Sequence, residues 1–114
     1  MKEEWASGDV SISAPRLALR AKLLVAEGWG KLALDTAGRA VRIVRRTDWM
    51  CLRADTLTAH AQVARLGGEY DVAAQSAAEA LAVAEDKGYS VGMARARDEV
   101  AQIGEPIRNT RRPA

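Results

Sequence analysis

Few side chains in this sequence are of a type that does chemistry. His60 is the single histidine, and its nearest charged neighbours in the chain are Asp55 and Arg65. Acid–base work or metal binding needs convergent partners, and no such motif surrounds it. A packing or half-exposed role is expected for His60. The stretch Gly28-Trp29-Gly30-Lys31 has the glycines and lysine of a phosphate loop, yet Leu32 follows the lysine. That chemistry requires a longer glycine loop after a strand and a Ser or Thr after the lysine. The stretch reads instead as a corner between helices, with Trp29 covering the join. Cys51 is the only cysteine, which excludes an intrachain disulfide and a Cys-rich metal site. No paired carboxylates and no nucleophile beside a base stand at workable spacing. Catalytic, cofactor and metal sites are therefore all expected to be absent.

Charge patterning fits binding better than reaction. Arg39, Arg42, Arg45 and Arg46 recur at i, i+3, i+6 and i+7, a basic strip on one helix face. An acidic partner or nucleic acid could use it, though a solvated outer face, partly neutralised by the acidic helix next door, is the first reading. The formal charge is +2. Four successive blocks, 1–14, 15–53, 54–90 and 91–114, balance at −2, +6, −4 and +2. The acidic third block interrupts the sustained basic face that a nucleic-acid binder shows, so nucleic acid is the alternative reading rather than the first.

The elements that position these residues are helices. Alanine is about a fifth of the chain and Phe is absent, a composition suited to helices packed closely on helices. Ser13 followed by Ala14-Pro15 predicts a serine cap with proline in the first turn, opening a helix over 14–27. Further helices are predicted over 31–46, 49–66, 69–86 and 91–103. Asp48 and Ser90 are the expected caps of the third and fifth, and Lys87-Gly88 the stop of the fourth. Residues 1–13 are expected to be a flexible lead-in and 105–114 a disordered basic tail. No apolar run approaches the length of a membrane span and no signal peptide is visible, so a cytoplasmic location is the default.

An internal repeat gives the clearest signal. Ala14, Leu17, Ala21, Gly28, Ala33, Ala37 and Ala40 each meet an identical residue forty positions on: Ala54, Leu57, Ala61, Gly68, Ala73, Ala77 and Ala80. A third copy begins, Ala94, Ala101 and Gln102 matching Ala54, Ala61 and Gln62, and stops after one helix. Charges on this frame invert: Arg39 falls on Glu79, Arg45 on Glu85 and Arg46 on Asp86. The second helices are expected side by side, with these opposed charges approaching across repeats.

Residues 54–81, ADTLTAHAQVARLGGEYDVAAQSAAEAL, resemble a tetratricopeptide repeat (TPR). Leu57, Ala61, Gly68, Tyr70, Ala73 and Ala80 fall on its large, small, turn and small positions. Leu17, Ala21, Gly28, Gly30, Ala33 and Ala40 do so in the first copy. The unit is longer than the usual repeat, and Arg20, His60 and Val100 stand where leucine is usual. It is similar to the alanine-rich arrays of bacterial multidomain regulators. The resemblance implies an all-α domain over 14–104 (units 14–53, 54–93 and a partial 94–104). Its antiparallel hairpins would stack as a short right-handed solenoid of about five helices. It further implies a non-catalytic protein–protein interaction scaffold. Its concave face would be lined by first helices through Lys22, Thr58, Gln62, Arg65, Asp98 and Gln102. The lysine and asparagine set that grips a C-terminal carboxylate in some members is absent. Trp49 and Tyr89 are expected to cover interfaces between units. Two and a half units barely suffice for a stable stack, so a homodimer, or a place within a longer regulator, is the expected way to cover the ends.

Overall fold

The computed structural model describes residues 10–111, with side chains through residue 104. Five α-helices make up this region: α1 (Val10–Ala26), α2 (Gly30–Val44), α3 (Met50–Leu66), α4 (Tyr70–Lys87) and α5 (Ser90–Arg111). No strand occurs among the described residues. From α2 onward the helices begin every twenty residues, at 30, 50, 70 and 90. The forty-residue repeat is thus two helices and two turns.

The turns explain the spacing. Gly28, Gly68 and Gly88 have φ of 91, 83 and 75°, a left-handed conformation that glycine alone adopts without Cβ strain. After each, the next residue donates its N–H back five positions: Trp29 to the Leu24 carbonyl at 2.9 Å, Glu69 to Ala64 and Tyr89 to Ala84 at 2.8 Å. This satisfies a terminal carbonyl of the finished helix. The same residue's carbonyl then accepts the first bond of the next helix, from Ala33, Ala73 and Met93 respectively. The turn between α2 and α3 lacks a glycine. There Thr47 substitutes, its hydroxyl donating to the Val44 carbonyl at 2.8 Å and accepting from the Trp49 N–H at 3.2 Å. Asp48, the expected cap, is not used, and Trp49 occupies the cap position without a side-chain bond.

The other end signals also differ from expectation. α1 is already helical at Val10, so Ser13 is a buried helical residue rather than a cap. Pro15 lies inside the helix, at the loss of one backbone hydrogen bond. Residues 10–13 therefore belong to the helix; residues 1–9 lie outside the described region. Ser90 is the first residue of α5, not its cap, and α5 passes Gly104 and Pro106 to Arg111. The expected tail is thus helical in its backbone through residue 111, and 112–114 lie outside the described residues.

Packing follows the small residues. Sequential helices pack on one another, while α1, α3 and α5 also lie side by side. α2 and α4 flank α3, their backbones apart and only side chains meeting between them. Ala14, Ala21, Ala33, Ala40, Ala54, Ala61, Ala73, Ala77, Ala80, Ala84 and Ala96 are all fully buried. Leu57, 1 % exposed, sits at a junction with Val41, Ala80 and Ala96. The seams are thus built from side chains small enough for close backbone approach, with Leu57, Val44 and Val63 as the largest fully buried groups.

Candidate functional site

One face of the α1–α3–α5 layer forms an open groove of about 470 Å³. Its lining repeats as the chain does. Pro15, Asp55 and Arg95 stand at one position of the forty-residue unit; Ala18, Thr58 and Asp98 at a second. Leu19, Ala59 and Glu99 occupy a third, and Lys22, Gln62 and Gln102 a fourth. Leu52, Thr56 and Arg65 complete the wall. Positions at i, i+3, i+4 and i+7 share one helix face, so three side-by-side helices present them as three parallel rows. The rows differ in chemistry. α1 contributes proline, alanine, leucine and one lysine; α3 is mixed; α5 contributes only charged and amide groups. The groove therefore runs from apolar to polar across its width.

All six residues expected on the concave face, Lys22, Thr58, Gln62, Arg65, Asp98 and Gln102, line this one groove. Their environments are not equal. Thr58 donates its hydroxyl to the Ala54 carbonyl within its own helix at 2.9 Å. Asp98 accepts from the Gln102 amide at 3.1 Å. Arg65 is a structural tie. Its Nε and Nη2 donate to the two oxygens of Glu99 at 2.8 and 2.9 Å. Only 17 % of one side chain and 7 % of the other is exposed. The hydrogen bond to Glu99 is the main cause that raises the Arg65 pKa above its ordinary value, with burial opposing. Lys22 and Gln62 remain half-exposed on the groove wall.

A second polar tie closes one end of the groove. The Tyr89 hydroxyl donates to Asp55, 3.0 Å from both carboxylate oxygens, and Arg95 stands 3.6 Å from the same group. Burial, then the bond to Asp55, raises the Tyr89 phenol pKa. The ring lies where a side chain on residue 92 would be: a Cβ on Gly92 would come within 2.3 Å of it. Gly92 is therefore required by Tyr89, a pairing that no local sequence signal marks. Tyr89 does cover an interface, whereas Trp49 and Trp29 leave 49 and 61 % of their surface exposed and cover little.

On the outer side, a groove of about 520 Å³ lies between α2 and α4, with His60 of α3 among its lining. Two of the four strip arginines, Arg42 and Arg45, line it; Arg39 and Arg46 are exposed outside it. Arg45 pairs with Glu79 at 2.6 Å. The charge pairing across repeats thus exists, but at a separation of 34 rather than 40. Arg39 does not meet Glu79, and Glu85 pairs instead with Arg97 of α5 at 3.6 Å. Residues forty apart point the same way on their two helices. A contact across a seam needs the back of one helix and the front of the next, about 120° apart in azimuth, which six residues supply. Arg65–Glu99 and Tyr89–Asp55 show the same separation of 34. His60 is half-buried, its Nδ1 2.6 Å from the Ser76 hydroxyl. Burial first, and Arg45 second, lower its pKa below the usual 6.5, with Glu79 opposing.

Among the described residues no group of three His, Cys, Asp or Glu side chains gathers as a metal site, and no helix is long and apolar enough to cross a membrane. No family model, no curated protein and no solved structure matches this chain.

Proposed function

We propose that this chain is a non-catalytic interaction scaffold of tetratricopeptide type. In this reading its antiparallel hairpins stack as a short right-handed solenoid, and a segment of a partner protein lies in the groove across α1, α3 and α5. One observation carries the proposal: four positions of the repeat unit, taken three times, form a single continuous groove wall. A buried core needs only the seams between helices to repeat. A repeating open face is what a binding surface built from repeats requires. The apolar row from α1 and the polar row from α5 suit a peptide with unlike edges. In this reading, which extends the resemblance to alanine-rich arrays of bacterial regulators, the scaffold is a fragment or partner module of a signalling or transcription regulator.

The test uses Lys22→Ala/Gln62→Ala, because both side chains face the groove without holding the fold. Arg65 is unsuitable, since its loss would strand Glu99. Pull-down from the native host with the natural chain and the double variant should show partners lost at unchanged thermal stability. Equal capture by both would remove the groove from the account.

The Arg39–Arg46 strip supports a nucleic-acid reading less well, since Arg45 is engaged by Glu79 and acidic α4 lies alongside. Filter binding should show no salt-sensitive retention of DNA or RNA.

A further inference from the structure

Each unit meets the one before it through four positions of its first helix. On α3 these are Leu52, Thr56, Ala59 and Val63; on α5 they are Gly92, Ala96, Glu99 and Ile103. All are buried except Leu52, which is half-buried. Leu52 packs on Ala14, Ala40 and Val44, and Val63 on Ala21, Ala33 and Ala37. At the same four positions α1 carries Ile12, Arg16, Leu19 and Leu23, and all four are exposed. The three aliphatic side chains leave 49, 60 and 58 % of their surface open. Leu32 of α2, 50 % exposed, extends the bare edge.

The opposite end is finished differently. Where Leu17 and Leu57 stand in the first two units, α5 has Arg97, ion-paired to Glu85. Ala94 and Ala101 beside it are exposed and small. A polar outer face is what a terminal unit needs to remain soluble. Among the described residues the C-terminal end sets Arg97 there, with Val100 45 % exposed nearby, whereas the α1 edge sets three exposed aliphatic side chains.

Charge narrows what the α1 edge accepts. In the covered seam Arg45 meets Glu79 at 2.6 Å. On the bare edge the place of Glu79 is taken by Arg39. A hairpin seated there needs a carboxylate where this chain has Arg45. α1 itself adds Arg20 and Lys22 and no carboxylate. A second copy does not offer the complementary surface. Its acidic edge, Leu81 and Glu85, already lies under its own α5, where Leu81 packs with Ala96 and Glu85 pairs with Arg97.

We propose that the α1 edge is the docking surface for a helical hairpin of a partner protein, with alanine-sized gaps that receive Leu19 and Leu23 and a carboxylate that faces Arg39. This surface shares Leu19 with the groove wall but takes in Leu23 and Arg39, which lie outside it, and leaves out Lys22 and Gln62; the proposal stands whether or not the groove binds a peptide.

The chain contains a hairpin of this chemistry, residues 50–89, with Glu85 at the position of Arg45. Exchanging residues 1–9 for a second copy of 50–89 sets it before Val10 in the natural register. A matched fusion carrying residues 10–49 presents Arg45 to Arg39 instead. The acidic fusion should melt in one transition, at least about 5 °C above the natural chain. The basic fusion should gain less than half of that. Leu19→Glu/Leu23→Glu should abolish the gain in the acidic fusion. An unchanged melting temperature in the acidic fusion, or equal gains from both fusions, overturns the proposal. Sedimentation of the natural chain should show a monomer over a wide concentration range. A dimer dissolved by Leu19→Glu/Leu23→Glu would make a second copy the occupant and overturn it as well.

Discussion

The two seams of this molecule occupy the same positions of the repeat and are closed by different chemistry. Between α3 and α5 the outer contacts are Arg65 with Glu99 and Asp55 with Tyr89. Between α1 and α3 the equivalent residues are Val25 with Ala59 and Pro15 with Trp49, which can form neither bond. Val25 instead packs beside Val63, Ala21 and Ala33. Both seams keep a strip of buried alanines beneath. The difference teaches that the alanine strip is the part of the repeat that closes the layers, and that the rim above it accepts either apolar filling or a charge-assisted tie. A tie has a direction and a required partner, so it sets register. Apolar filling tolerates sliding, and it leaves the α1 side of the groove apolar.

The comparison can be broken most severely at Glu99. Glu99→Ala leaves the Arg65 guanidinium in a largely buried site without its carboxylate, and should cost about 3 kcal/mol by chemical denaturation. Arg65→Val/Glu99→Ala, which gives the second seam the residues of the first, should return to within about 1 kcal/mol of the natural chain, because both charges leave together. A double variant as unstable as the single one would show that the seams are not interchangeable. Tyr89→Phe, which deletes only the donor to Asp55, should cost about 1–2 kcal/mol and leave the far-ultraviolet dichroism unchanged.

His60 sharpens the outer side through pH. Burial lowers its folded pKa below the free value of 6.5. Below that value the unfolded chain takes up a proton that the folded chain resists. The stability contribution is therefore complete above about pH 6.5 and is lost as pH falls toward the folded pKa. Melting temperature should drop between pH 7 and 5, and the drop should be shallower in His60→Gln. The smallest effect belongs to the exposed Arg45–Glu79 pair, whose side chains are 50 and 37 % open. Glu79→Gln should change stability by less than about 1 kcal/mol, and the change should vanish in high salt.

Much of this arrangement was legible in the residues. The repeat fixes which helix faces coincide, and the resemblance laid on that repeat implies that Lys22, Thr58, Gln62, Arg65, Asp98 and Gln102 share one wall. Glycines at 28, 68 and 88 mark three of the four turns, because the positive φ there excludes most other residues. The partners across the seams were not legible. They are six residues out of phase with the repeat, since a contact joins opposite sides of two helices. Arg65 therefore looked like a binding residue, while Glu99 and the dependence of Tyr89 on Gly92 passed unnoticed. Helix ends read from Ser13, Pro15, Gly104 and Pro106 were misplaced for another reason. Capping preferences are worth about a kilocalorie per mole, which packing of a whole helix face outweighs. The open α1 edge was also hidden, because its leucines look like core residues until it is seen that no other described helix covers them.

The central claim, that the repeated wall of the groove is the binding face, can be tested by a photo-crosslinking residue placed at Gln62 and, in a second protein, at Arg46 on the outer face. Irradiation in the native host should give discrete crosslinked protein bands from position 62 and none from position 46. Bands from position 46 alone would contradict the account and move the function to the outer helices.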